Sequence, residues 1–218
     1  KNQRDLIRNI RNFNMRLYEE IVENFKQDVI QNKIADKISH QYEDYYKRRA
    51  NPSEIRSWTN SLNFIKNVLD YATLSRNKII VEYELPYSEK RIDVLLFGKG
   101  EDNSDNIIII ELKQWSNESI NDSEDEGNII VDFGRFRKEL PHPSLQVEGY
   151  YWHLKDFMTM FDEKPKVDLD ACVYCHNYSK GENEILYLPK FRKDIEKYPL
   201  FSKEEMMNLG DYLKKRLN

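Results

Sequence analysis

The chain has 218 residues, 39% of them hydrophobic and 33% charged, and a mean hydropathy of -0.80. That balance supports one ordinary globular core, and with no apolar stretch long enough to cross a bilayer it excludes a transmembrane helix and a secretory signal. The formal net charge of -4 argues against a protein that coats nucleic acid by charge alone, which needs clustered Lys and Arg.

Much of the acid is concentrated in Glu101 to Asp105 and Glu118 to Glu126, both expected to be exposed loops. The two cysteines cannot build a disulfide framework and are expected to be free thiols, so the chain reads as cytoplasmic. It begins at Lys1, which is read as a piece of a longer protein.

Along the chain, Leu6, Ile10, Phe13, Leu17, Ile21 and Phe25 recur at steps of three or four and predict one long amphipathic helix, an N-terminal element over residues 1–30. Residues 31–218 are expected to form a single domain. Helices are predicted over Ile34 to Tyr46 and from Pro52 to Tyr71, with Pro52 in the first turn and Ile55, Trp58, Leu62, Ile65 and Leu69 on the buried face.

The period then changes to two. Lys78 to Leu85 predicts a strand with Ile79, Val81 and Tyr83 on one face and Ile80, Glu82 and Glu84 on the other. Arg91 to Phe97 places Ile92, Val94 and Leu96 opposite Asp93, Leu95 and Phe97, so an acid interrupts an apolar strand. Asn106 to Lys113 places Ile108, Ile110 and Leu112 opposite Ile107, Ile109, Glu111 and Lys113.

A flexible acidic segment follows, then a short strand near Ile129 to Asp132, a helix opened by Pro143 or Ser144 and running to Phe157, and a buried strand over Leu169 to Tyr174. Ser202 and Glu205 form a capping box for a last helix carrying Met206, Leu209, Leu213 and Leu217. The order predicts an α/β fold with a central mixed sheet flanked by helices.

An isolated charge buried in a strand costs several kcal/mol, roughly, unless it is paired or bound to a cation. The sequence accepts that three times on one hairpin, at Asp93, Glu111 and Lys113. Two carboxylates and the Leu112 carbonyl suit Mg²⁺ or Mn²⁺, and an adjacent ammonium suits an attacked phosphate. The bland alternative pairs Glu111 with Lys113 and Asp93 with Arg91 at a sheet edge.

The blocks IIVEYELPYSEKRIDVLLFG, IIIIELKQW and HPSLQVEGY, in that order over about Ile34 to Leu188, resemble the PD-(D/E)XK nuclease superfamily. Within it they are similar to the restriction-endonuclease-like domain that precedes a Schlafen-type superfamily 1 DNA/RNA helicase in bacterial proteins. The resemblance implies a metal-dependent nuclease acting on DNA in preference to RNA, with Asp93 and Glu111 as metal ligands, Lys113 beside them, and a helicase domain in the same polypeptide. A defence role against foreign DNA is compatible with that architecture.

In the RecB-like branch a Gln-x-x-x-Tyr motif lies on the next helix, matched by Gln146 and Tyr150, and four-residue spacing puts both on one helix face. Glu82, Glu54 and His142 are further candidates, with helix capping as the competing role for His142 and a solvated position for Glu54. Arg135, Arg137 and Lys138 are the candidate phosphate contacts.

Two departures stand out: Ile92, not Pro, precedes Asp93, and the upstream His40 lacks the usual preceding glycine. Two other functions compete, a nucleic-acid-binding or regulatory module that has lost its metal site, and a protein-interaction domain. Cys172, Cys175 and His176 spell a haem-attachment signature, which a strand opposes because three-residue spacing sends the two sulfurs to opposite faces.

Overall fold

The computed structural model describes residues 15–101, 103–158, 167–181 and 184–218. It opens with strand β1 (Arg16–Ile21) and helices α1 (Val22–Ile30), α2 (Ile34–Tyr46) and α3 (Pro52–Tyr71). Strands β2 (Lys78–Glu84), β3 (Arg91–Lys99) and β4 (Asp105–Lys113) follow, then β5 (Ile120–Asp122), β6 (Asn128–Asp132) and β7 (Arg137–Pro141). The chain continues with α4 (Pro143–Phe157), β8 (Val167–Cys175), α5 (Arg192–Lys197), β9 (Leu200–Ser202) and α6 (Met206–Leu217).

The main sheet has six strands in the order β1, β2, β3, β4, β8, β9, and a second sheet of three is built from β5, β6 and β7. Strands β1 to β4 are antiparallel neighbours, whereas β8 lies parallel to β4 and β9 parallel to β8. The fold is therefore α/β with a central mixed sheet. A parallel return needs a crossover, and the small sheet with α4 supplies it between β4 and β8.

Both faces of the main sheet are covered. On one, Ile79, Val81, Val94, Leu96, Ile108 and Ile110 pack with the buried stripes of α1, α2, α3 and α6. On the other, Ile80, Leu95, Phe97, Ile107 and Ile109 pack with Val147, Tyr150 and Leu154 of α4 and with Ile120, Ile129 and Val131 of the small sheet. Double-sided burial explains the unbroken run Ile107 to Ile110, where every side chain has a core to enter.

Helix α3 starts where Asn51 accepts from the amides of Ser53 and Glu54 while the Glu54 side chain accepts from the Asn51 amide, with Pro52 in the first turn. Its stripe Trp58, Leu62, Ile65 and Leu69 is buried, each side chain contributing roughly 1.5–3 kcal/mol. The capping box at Ser202 and Glu205 is present ahead of α6. No helix of the described residues is long and apolar enough to cross a membrane.

The N-terminal prediction is corrected. Leu6, Ile10 and Phe13 lie outside the described residues, and Leu17 and Ile21 belong to a strand. Leu17 to Ile21 has no clean alternation, and pairing of Tyr18 with Val81 and Ile21 with Lys78 decides for the strand. Ile21 is consequently 39% exposed and Phe25 alone continues the stripe, buried on α1.

The acidic runs are corrected too, since Asp105 is a buried residue of β4 paired with Lys99 at 2.9 Å and Ile120–Asp122 is a strand. The haem signature is a core strand end: Cys172 enters the core on the α3 side, Cys175 the core on the α4 side, and both are buried free thiols.

Candidate active site

Alternation predicts that Asp93 shares a face with Leu95, and the structure departs from this. Val81 pairs with Val94 and Tyr83 with Ile92, but Glu82 and Asp93, opposite each other between them, drop out of the ladder. Glu82 adopts a left-handed φ of 55°, a strained state for a residue with a side chain. Past this point the faces exchange, so Tyr83 and Ile92 enter the α4-side core, each one residue out of step with regular alternation from Ile80 and Leu95.

Asp93 is thereby turned toward α3, where it lines a cavity of about 50 Å³ with Ser57, Trp58, Ser61, Leu62 and Leu112. Pairing of β3 with β4 ends at Val94 and Ile110, and beyond it Asp93 Oδ2 accepts from the Leu112 amide at 2.7 Å. A side-chain carboxylate takes the place of a ladder carbonyl at the end of the sheet.

Glu111 and Lys113 project toward α4, as expected. Lys113 Nζ donates to Glu111 Oε1 at 2.7 Å and to Gln146 Oε1 at 2.8 Å, while Gln146 Nε2 donates to Glu111 Oε1 at 2.7 Å and to the Tyr150 hydroxyl at 2.6 Å. Gln146 and Tyr150 do share one face of α4. The Lys113 ammonium also lies 4.8 Å from the Trp115 ring centre.

The electrostatics tie the acids of both faces together. Burial, then the charge of Glu111, then that of Glu82, raise the Asp93 pKa well above the usual carboxylate range. Glu82 is raised as well, by burial and with Glu111 and Glu54 contributing, against the opposing pull of Arg91 and the Trp58 hydrogen bond. Burial alone would disfavour charge on Lys113, yet Glu111 and Asp93 outweigh it and raise its pKa. The Tyr150 phenol is raised by burial and by Glu111, so it stays a donor.

Of the bland alternative, the Glu111 to Lys113 pair is present and the Asp93 to Arg91 pair is not. Arg91 instead donates to Glu54 at 2.9 Å and pairs with Glu82 at 3.1 Å, and Glu82 also accepts from Trp58 Nε1 at 2.9 Å. Glu54 is thus the capping-box acid of α3 and an ion-pair partner, which corrects its reading as merely solvated. Arg91 and Trp58 were not singled out as site residues; Trp58 looked like plain core stripe, and the two-residue step from Arg91 to Asp93 was the available signal.

His142 is fully buried and stacked on Phe191 at 4.1 Å. Its Nδ1 accepts from the Ser144 amide at 3.2 Å, which assigns the proton to Nε2, the donor to the Leu186 carbonyl at 3.0 Å. It is a helix cap and cannot reach a phosphate, so this candidate is withdrawn from the site.

Burial pushes the His142 pKa down to about 4. A base depressed in the folded state loses stability as pH falls from about 6.5 toward 4, because only the unfolded chain takes the proton. Urea unfolding of His142→Asn should therefore show a shallower loss over that window than the wild type; an identical slope would contradict the assignment.

Arg135 and Lys138 are exposed on the β6 to β7 hairpin, and Arg137, 70% exposed, is held by Asp132 at 2.9 Å. His40 is exposed on α2. Gln114 donates to Ser61 Oγ at 2.9 Å, and buried Ser61 meets His176 Nε2 at 3.0 Å, contacts that no sequence motif pointed to.

Among the described residues no three His, Cys, Asp or Glu side chains stand together at metal-ligand spacing. A cation nevertheless suits the chemistry of the donors, since Glu111 Oε2 is buried without a hydrogen-bond partner and the Asp93 carboxylate is destabilised by like charge. Neither a family model, nor a curated protein, nor a solved structure matches this chain.

Proposed function

We propose that this chain is a divalent-metal-dependent nuclease domain of the PD-(D/E)XK type that hydrolyses phosphodiester bonds, with single- or double-stranded DNA as substrate in preference to RNA and a helicase domain as its partner. One observation carries the reading: Asp93 and Glu111 stand at one sheet end, with Lys113 and Gln146 bonded to Glu111 and Tyr150 bonded to Gln146. The acid on the second strand of the hairpin set, E-x-K on the third and Gln-x-x-x-Tyr on the next helix follow the order that the resemblance implies.

Asp93 from the α3 side of the sheet end and Glu111 from its α4 side, with the Leu112 carbonyl, would hold the ion, and Mg²⁺ or Mn²⁺ bound there would supply a water of lowered pKa and neutralise charge on the phosphate. Lys113 has three N–H donors and two are engaged, which leaves one for a water or a phosphate oxygen. Gln146 fixes the ammonium from its other side. The protonated Tyr150 hydroxyl is positioned by Gln146 to donate to substrate.

The test is cleavage of labelled single- and double-stranded DNA and RNA by the purified chain in Mg²⁺ or Mn²⁺. Lys113→Ala should slow it by roughly two orders of magnitude or more, the scale of losing one preorganised donor. Cleavage that survives Lys113→Ala unchanged would reject the reading.

A second reading, a binding or regulatory module without turnover, is favoured by the fact that Lys113 already neutralises Glu111 internally. Nucleic-acid binding with no product in any divalent metal would support it.

A further inference from the structure

The structure has an open cleft of about 410 Å³ beside the acid cluster, lined by Tyr46, Arg48, Glu54, Glu84, Glu89 and Arg91. Its size falls in the ~300–1,000 Å³ range of small-molecule sites. We propose that this cleft holds one unpaired nucleotide of a single-stranded nucleic acid, with the base against Tyr46 and the backbone along Lys47, Arg48 and Arg49. The proposal rests on the nuclease reading for its biological sense, and its test does not depend on turnover.

Helix α2 ends in Tyr45 and Tyr46, and Lys47 takes a left-handed φ of 55° that turns Arg48 and Arg49 out of the helix. In a chain of net charge -4 this places three cations and two tyrosines in five successive residues. Tyr45 is 51% exposed and Arg49 has 89% of its side chain exposed. Aromatic rings beside a run of cations are the means by which single strands are held, because bases stack on rings and phosphates follow the charge.

The walls suit a base edge better than a phosphate. Tyr46 is fixed by donating to Glu84 at 2.8 Å, and it rests on Tyr42 with ring centres 4.5 Å apart. The Arg91 guanidinium lies 5.5 Å from the Tyr42 ring centre, bonded to Glu54, and its Nη1 is buried without a hydrogen-bond partner. Carboxylates accept from amino and imino groups of a base, and the spare guanidinium N–H donates to a carbonyl or ring nitrogen. The same carboxylates repel phosphate, so the backbone stays on the rim, at Arg48.

Arg91 also pairs with Glu82, which puts the cleft and the catalytic acids on two sides of one side chain. A strand running over the acids thus has a place for a flanking base. A duplex keeps its bases stacked and cannot offer one.

The experiment measures fluorescence anisotropy of the full chain with a labelled oligonucleotide of about twelve residues, as single-stranded DNA, single-stranded RNA and blunt DNA duplex, in EDTA so that nothing is cut. Arg48→Ala and Tyr46→Ala should each weaken single-strand binding roughly fivefold to tenfold, Tyr46→Phe should retain most of it, and duplex binding should change less than twofold. The DNA and RNA arms identify the natural strand. Arg48 is exposed, so its variant folds. Wild-type single-strand affinity retained by both Ala variants, an equal loss for duplex, or no single-strand binding at all would overturn the proposal. A chain that binds as described but cuts nothing would leave the cleft assigned and remove only the nuclease reading.

Discussion

Asp93→Asn is expected to reduce metal-dependent cleavage by roughly a thousandfold and, in the same protein, to raise thermal stability. The amide keeps the volume and still accepts from the Leu112 amide, the bond that closes the end of the β3 to β4 pairing. What it removes is a carboxylate whose charge is opposed by burial, by Glu111 and by Glu82. An acid whose folded pKa lies above its unfolded value of about 4 subtracts stability as pH rises from there through the folded pKa.

The stabilisation at pH 7 should therefore shrink as the pH is lowered toward 4. Melting temperatures of both proteins across pH 4 to 8 in EDTA, with cleavage rates in Mn²⁺, check this. Near wild-type cleavage, or a lower melting temperature for the variant at pH 7, would count against the account.

Arg91→Ala should have the largest effect on stability, about 3 kcal/mol of loss. Arg91 has 21% of its side chain exposed and holds Glu82, itself strained at φ 55° and close in charge to Glu111. Removing the cation leaves Glu82 its Trp58 hydrogen bond and takes away the charge that offsets Glu111 and Glu54. The double variant Arg91→Ala, Glu82→Gln should recover part of the loss, because the carboxylate that lacks a partner is then neutral. Urea unfolding of the single and double variants measures it; a single variant within about 0.5 kcal/mol of wild type would show that the pair is only a surface contact.

The legible part of the fold is where one local rule meets no competitor. Pro52 with Asn51 and Glu54, and Ser202 with Glu205, marked helix starts because capping chemistry is short-ranged. The runs at Ile79, Ile92 and Ile107 marked strands because apolar side chains were needed on both faces. Strand β1 was not legible, since Leu17, Ile21 and Phe25 satisfy a helical period and only pairing with β2 decides otherwise. The edge strand β9 is three residues long, too short to show a period.

The site divides the same way. Period put Glu111 and Lys113 on one face, the resemblance added Gln146 and Tyr150, and the four share hydrogen bonds. Asp93 was found for the right reason, an acid inside an apolar strand, but was given the wrong face. Its turn toward α3 comes where it and Glu82 both leave the β2 to β3 ladder, which no side-chain pattern encodes. Arg91 and the Tyr46 cleft come from α2, α3 and β3 meeting in space, beyond the reach of any linear motif.

The most direct measurement is the anomalous difference map of a crystal soaked in Mn²⁺. The account predicts a peak within bonding distance of Asp93, Glu111 and the Leu112 carbonyl, and no such peak in Asp93→Asn crystals. Ordered side chains in the same soak with no manganese at Asp93 and Glu111, or manganese bound elsewhere, would contradict it.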